Sequence, residues 1–214
     1  MKEKPHTSLV TSHVPYSPPR YPVEAMVKRS QDFYSLMNQR RTVRFISPEP
    51  VPREVIDNVI HTAGTAPSGA HTEPWTFVVV SDPETKHQIR LIVEEEEEVN
   101  YRQRMGDKWV NDLARLKTNW IKEYLDVAPY LVLIFKQTYG ILPNEKKKTH
   151  YYNEISVCIS CGILLAALQV ITSWLMYMIY SIYPSYMFLF LLFLCSFFNF
   201  HTSISHWCNT EMPQ

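Results

Sequence analysis

The chain has 214 residues, with 21 Lys plus Arg against 21 Asp plus Glu, so its formal charge is zero. That length holds one domain with a substantial core. Balanced charge argues against a nucleic-acid partner, which asks for a basic surface. The averages hide an asymmetry: apart from Glu211, every Asp, Glu, Lys and Arg lies at or before Glu154, and none falls between Ile155 and Thr210.

Residues 1–29 are rich in proline (Pro5, Pro15, Pro18, Pro19, Pro22) and lack periodicity, which predicts an extended arm. Met1 to Pro5 lead into no apolar core, so no signal peptide is expected. Gln31 to Gln39 reads as a helix with Phe33, Leu36 and Met37 on one face, and its end delivers Arg40, Arg41 and Arg44. Arginine's planar fork suits phosphate, so this cluster is a candidate anion grip; taken alone it reads as a solvated helix end. Pro48, Pro50 and Pro52 form a rigid connector into a second helix over residues 53–62, with Val55, Ile56, Val59 and Ile60 inward.

The stretch from Gly64 to Trp75 follows. Small residues and two glycines, Gly64 and Gly69, allow backbone N–H groups to approach a ligand closely, with Ser68, His71 and Thr72 beside them. Thr76 to Val80 then reads as a buried strand. Glu84 to Arg104 reads as a long helix with five successive glutamates, Glu94 to Glu98, most of which are most simply a solvated acidic face. Asp107 to Leu125 shows an apolar stripe (Trp109, Val110, Leu113, Leu116, Trp120, Ile121, Tyr124) and predicts another helix.

Tyr130 to Phe135 is a second core strand, and Thr138 to Lys148 a solvated polar loop. Glu154 to Gln169 has no polar face; such a helix must be buried, and a chain this size has little interior to bury it in, so a subunit partner is expected to cover it. The four cysteines, Cys158, Cys161, Cys195 and Cys208, fit neither a disulfide framework nor a paired zinc site. Cys158 and Cys161 read as small buried residues on that helix.

Arg40 to Phe45 (RRTVRF) and Ala66 to Val80 (APSGAHTEPWTFVVV) together resemble the flavin-binding half of the nitroreductase-like superfamily and, within it, the iodotyrosine deiodinase family. The resemblance covers about residues 20–169. It implies an α+β nitroreductase-like fold, a mixed sheet flanked by helices, in a homodimer packed through the Glu154–Gln169 helix. It implies FMN as cofactor. Arg40, Arg41, Thr42 and the adjoining Val43 match the residues at its phosphate and ribityl end, Arg44 the cation near the flavin pyrimidine edge, and Pro67, Ser68 and Gly69 the loop that flanks the ring, contributed across the dimer. Ala70 matches the position whose N–H meets the substrate phenolate. Glu97, Tyr101 and Lys122 match a clamp on the amino-acid head of iodotyrosine, closing as a lid. General nitroreductases lack that clamp.

The implied reaction is reductive deiodination of mono- and diiodotyrosine to tyrosine and iodide, flavin-driven, with no side chain assigned as acid or base and no metal. Electrons trace to NADPH through a reductase partner, since no Gly-x-Gly-x-x-Gly fingerprint is visible. A broader nitroreductase-like flavin reductase is the alternative within the fold.

After Gln169 the resemblance stops. The family continues with a threonine-rich strand, a flavin-binding arginine and a C-terminal arm. Here residues 170–200 form an uncharged apolar tail, and residues 201–214 a polar end. The tail exceeds the roughly 20 residues that cross a bilayer, and Trp174, Tyr177 and Tyr180 suit an interface. Membrane association, a core role and an alternative transcript end or gene-model artefact are the three readings. The domain division is thus an arm over 1–29, a partial FMN domain over 30–169, the tail, and the end. A membrane-associated form with impaired flavin binding is the second functional expectation.

Overall fold

A computed structural model of the chain describes residues 15–171. Everything expected of the 170–200 tail beyond Ile171, and of the polar end, lies outside the described residues.

The chain divides into two units, residues 1–39 and 40–214. In the first, α1 runs from Val23 to Asn38. The last residues of the expected arm, 23–29, are therefore helical. Pro22 sits at the helix cap and Val23 onward is free of proline, so nothing delays helix formation until Gln31. Lys28 pairs with Asp32 at 2.8 Å one turn on, and the Arg29 guanidinium lies 4.5 Å from the Tyr21 ring centre. No residue of α1 is fully buried; Leu36 and Met37 are half-buried, but Phe33 is exposed.

The second unit is α+β. Its core is the crossing of α2 (Arg53–Gly64) with α6 (Asn153–Ile171), backed by a strand pair. On α2 the buried positions are Ile56, Val59 and Ala63, while Val55 and Ile60 are half-buried. β1 (Trp75–Val80) pairs antiparallel with β2 (Leu131–Lys136), Trp75 opposite Lys136 and Val80 opposite Leu131. Both strand pairs among the described residues are antiparallel, so the expected mixed sheet is represented by antiparallel pairing here. Of β1 only Trp75 is fully buried. The loop expected from Thr138 to Lys148 folds as a hairpin, β3 (Tyr139–Ile141) with β4 (Lys147–Thr149), and the Lys147 ammonium lies 4.1 Å from the Tyr139 ring centre.

α6 departs from its expected burial in an informative way. The face against α2 and the sheet buries Val157, Cys161, Leu164 and Leu168, each apolar side chain contributing about 1.5–3 kcal/mol. The same face carries the helix's two serines, also buried: Ser160 Oγ donates to the Ala63 carbonyl at 2.8 Å, satisfying an end carbonyl of α2. Small residues there let the helices approach. The opposite face is apolar and open, with Ile155 60%, Ile159 41% and Val170 61% exposed. Cys158 is exposed on α6 rather than buried, whereas burial pushes the Cys161 thiol up to about 11. By length and composition α6 is the one described helix able to cross a membrane, with mean hydropathy 2.1. Its packed face is also what the core helix of a soluble protein shows.

α3 (Pro83–Val99) starts at Asp82, whose side chain accepts the Thr85 N–H, and runs into one wider π turn over Asn100–Arg104 before α4 (Gly106–Ala114). The helix expected through Leu125 stops at Ala114. Lys117 takes a left-handed φ of 51°, which an α-helix does not tolerate, and the chain resumes helix only at α5 (Tyr124–Val127).

Candidate functional site

Two groups of expected site residues are visible, and the fold builds them differently. The first is the loop between α2 and β1. Ala70, His71 and Glu73 hold φ of 52°, 50° and 44°, three non-glycine left-handed residues within four positions. Such conformations persist only where surroundings dictate them. The dictating contacts are identifiable: Ser68 Oγ accepts the Glu73 N–H at 2.9 Å, Thr72 Oγ1 donates to the Gly69 carbonyl at 2.9 Å, and the Ser68 carbonyl accepts the His71 N–H at 3.1 Å.

Gly69 is not the left-handed residue. Its role is close approach: a Cβ there would lie 2.5 Å from the Tyr151 carbonyl oxygen, and its N–H points to Ser156 Oγ at 3.4 Å. The strained positions on either side of Thr72 are Ala70, His71 and Glu73. Pro67 and Ala70 are exposed, Ser68 and Gly69 half-buried. Gln137 closes the base of the loop, its N–H donated to the Pro74 carbonyl at 2.9 Å and its side-chain amide to Thr76 Oγ1 at 3.0 Å.

The second group is a buried charge cluster. Glu97, on the inner face of α3, and Lys122, in the segment before α5, are 2% and 1% exposed, with Lys122 Nζ 3.7 Å from Glu97 Oε2. Tyr101, one turn beyond Glu97, sits in the π turn; the ammonium lies 5.9 Å from its ring centre. The ring packs edge-on against Trp109 at 4.8 Å and Trp120 at 5.8 Å. Lys122 Nζ also donates to the Asn119 carbonyl. Burial lowers the Lys122 pKa, with Glu97 opposing that shift and the Arg44 charge adding to it. Burial raises the Tyr101 phenol, and Glu97 adds to the rise while Thr118 and Arg44 oppose it. Lys122 was expected on a helix antiparallel to α3; it lies instead in an irregular segment, because the helix breaks at Lys117.

Arg44 is half-buried, and its charge acts on both Tyr101 and Lys122, so segment 40–44 passes the cluster. Val43 is half-buried, while Arg40, Arg41 and Thr42 are exposed; Arg41 Nη1 donates to the Arg40 carbonyl at 2.8 Å. The acidic run is largely engaged rather than solvated. Glu96 pairs with Arg104 at 2.9 Å, Glu98 with Arg102 at 2.6 Å and Glu94 with Arg90 at 2.8 Å; Glu97 is buried, and Glu95 alone of the five is classed as exposed. Arg90, Glu94 and Asp126 were not foreseen. The spacing of Arg90 and Glu94, four apart on one helix, was the available signal for part of it.

Comparison with known proteins follows this geometry. The nitroreductase family profile matches residues 37–172. Iodotyrosine deiodinase of Danio rerio is 79% identical over 157 residues, which are 73% of this chain and 53% of that protein. Iodotyrosine deiodinase 1 of Homo sapiens is 72% identical over 73% of this chain and 54% of its own. The chain thus spans about half the length of these relatives. A crystal structure of oxidized iodotyrosine deiodinase bound to FMN and 3-iodo-L-tyrosine superposes with a TM-score of 0.57 at 32% identity, covering 64% of this chain and 69% of that one. The chain belongs to the nitroreductase family, in its iodotyrosine deiodinase branch.

Proposed function

We propose that this chain is an FMN-dependent oxidoreductase that removes iodide from mono- and diiodotyrosine, with NADPH as ultimate electron donor through a separate reductase. The observation that carries it is the sealed Glu97–Lys122 pair against Tyr101. A free amino acid carries an ammonium and a carboxylate next to each other. Glu97 offers the anion for one, Lys122 the cation for the other, and Tyr101 a polar aromatic to close over both. The relatives named iodotyrosine deiodinase, and the solved structure holding FMN and 3-iodo-L-tyrosine, support this reading.

The residues present fit FMN. Arg40 and Arg41 present exposed guanidinium groups for a phosphate dianion, with Thr42 and Val43 continuing toward the ribityl chain. Arg44 would bring a positive charge to the pyrimidine edge, where it would favour the anionic form of the reduced flavin. Pro67, Ser68 and Gly69 would flank the ring from across the dimer, and Ala70, left-handed at φ 52°, would offer its N–H to the substrate phenolate. Reduced FMN held there would supply the two electrons that, with one proton, convert the carbon–iodine bond to carbon–hydrogen and iodide. The clamp and its aromatic neighbours would hold the amino-acid head and exclude water from the bound substrate. The open apolar face of α6 supports a homodimer through that helix.

A second reading, a membrane-associated form with impaired turnover, is favoured by the charge-free stretch from Ile155 to Thr210. Purification of the chain in detergent, its visible spectrum and turnover of 3-iodo-L-tyrosine separate the two. Stoichiometric flavin absorbance with iodide release supports the deiodinase; a colourless chain that stays with the membrane fraction supports the second reading. Flavin with activity on nitroaromatics but none on iodotyrosine supports the broader reductase.

A further inference from the structure

The segment that carries Lys122 is held by a set of charges outside the clamp. Arg90 and Glu94 lie one turn apart on α3, their side chains 19% and 17% exposed. Arg90 Nε donates to Glu94 Oε1 at 2.8 Å, and its Nη1 donates to Asp126 Oδ2 at 2.8 Å. The same Glu94 oxygen accepts the backbone N–H of Lys122 at 2.6 Å. Further along, the buried Lys86 ammonium donates to the carbonyls of Asp126 at 3.1 Å and Ala128 at 2.6 Å. Both ends of segment 122–128 are therefore fastened to α3, the helix that also carries Glu97.

We propose that Glu94, locked by Arg90, is the positioning residue of the clamp: by holding the Lys122 backbone it sets the ammonium against Glu97 and over the Tyr101 ring. The inference rests on reading Glu97, Tyr101 and Lys122 as the amino-acid clamp. The break at Lys117 makes such a device necessary, because the Lys122 N–H lies outside any helix that could hold it. A lysine has four rotatable bonds, so its ammonium is only as well placed as its backbone and its packing. A carboxylate accepting a backbone N–H is a charge-assisted bond, and Arg90 fixes the rotamer of that carboxylate. Three consecutive turns of α3 thus supply a fastener (Lys86), a lock and positioner (Arg90, Glu94) and a ligand-facing acid (Glu97).

The test uses the full chain in detergent with Glu94→Ala and Glu94→Gln, and Glu95→Gln at the exposed neighbour as control. Binding of 3-iodo-L-tyrosine is compared with binding of 2-iodophenol, which has no amino-acid head, and amide hydrogen exchange is read at Lys122. Glu94→Ala is expected to raise the dissociation constant of 3-iodo-L-tyrosine about ten- to hundredfold, as for loss of a hydrogen bond to a charged group. It should leave 2-iodophenol unchanged and deprotect the Lys122 amide while β1 and α6 stay protected. Glu94→Gln, which keeps an acceptor, should rescue part of both effects, and Glu95→Gln should match wild type. A Lys122 amide still protected in Glu94→Ala, or equal weakening of both ligands, overturns the proposal. Should the wild-type chain bind no 3-iodo-L-tyrosine, the deiodinase reading falls, and local against global loss of amide protection decides the positioning role by itself.

Discussion

Lys122 and Glu97 face each other at 3.7 Å with both side chains closed to water, and burial pulls the lysine toward its neutral form while the carboxylate holds it charged. At that separation the attraction works against the desolvation of both charges, and the hydrogen bond from the ammonium to the Asn119 carbonyl works with it. A zwitterion inserted between them would present an ammonium to Glu97 and a carboxylate to Lys122. Removing one member alone leaves the other stranded. Lys122→Met is expected to destabilise the chain by about 3–5 kcal/mol in urea denaturation. The double variant Glu97→Gln/Lys122→Met should recover much of that loss yet still fail to bind 3-iodo-L-tyrosine. Equal stability of single and double variants would show that the pair is not coupled.

The acid side of the stability profile is expected to report Asp126. Burial pushes its carboxyl up, but the hydrogen bonds from Arg90 and His87 outweigh burial and hold it below its ordinary value. A carboxyl depressed in the folded chain binds its proton more readily when unfolded. Its stabilisation is therefore present above the ordinary carboxylate pKa, about 3.9, and is lost as pH falls through the folded value. Asp126→Asn should be less stable than wild type at pH 7 and converge with it on acidification, measured by urea midpoints across pH. Parallel curves for the two proteins would reject the assignment.

Local chemistry made much of this fold legible. The proline connector marked the start of α2, and apolar runs marked β1 and β2 to within a residue. What failed was the helix drawn from Asp107 to Leu125: its apolar stripe is real, but the left-handed turn at Lys117 lets Trp109 and Trp120 pack on one ring from two separate segments. Periodicity does not record such a break. The partners of the acidic run were hidden for a related reason, since Arg104 and the Lys122 backbone come from later in the chain. Residue type was a poor guide on α6, where the serines face inward, Ser160 to the Ala63 carbonyl and Ser156 to the Gly69 N–H, and isoleucines face out. Glu97, Tyr101 and Lys122 were legible only jointly; each alone looks like surface.

Gly69→Ala is expected to disrupt the loop before β1. Its new Cβ would meet the Tyr151 carbonyl oxygen at 2.5 Å, and that partner is backbone, which cannot swing aside. Overpacking of this kind costs about 1–3 kcal/mol. The displaced loop should also lose the Gly69 N–H to Ser156 contact and bind FMN more weakly. Thermal melting with and without added FMN checks both effects; wild-type behaviour in each would mean that the close approach is not needed.

The apolar face of α6 carries the last expectation. Ile155, Ile159 and Val170 are open on the described chain, while the opposite face is committed to α2 and the strands. A glutamate at Ile159 has no core of its own to disturb, so monomer stability should change within about 0.5 kcal/mol. In a dimer sealed along this helix the same charge would be forced out of water beside its own copy, which is strongly unfavourable. Sedimentation of the chain in mild detergent should therefore show the wild type at twice the mass of Ile159→Glu, with the variant's helical circular dichroism preserved. A dimer that survives Ile159→Glu would place the partner surface elsewhere and leave this face to another cover.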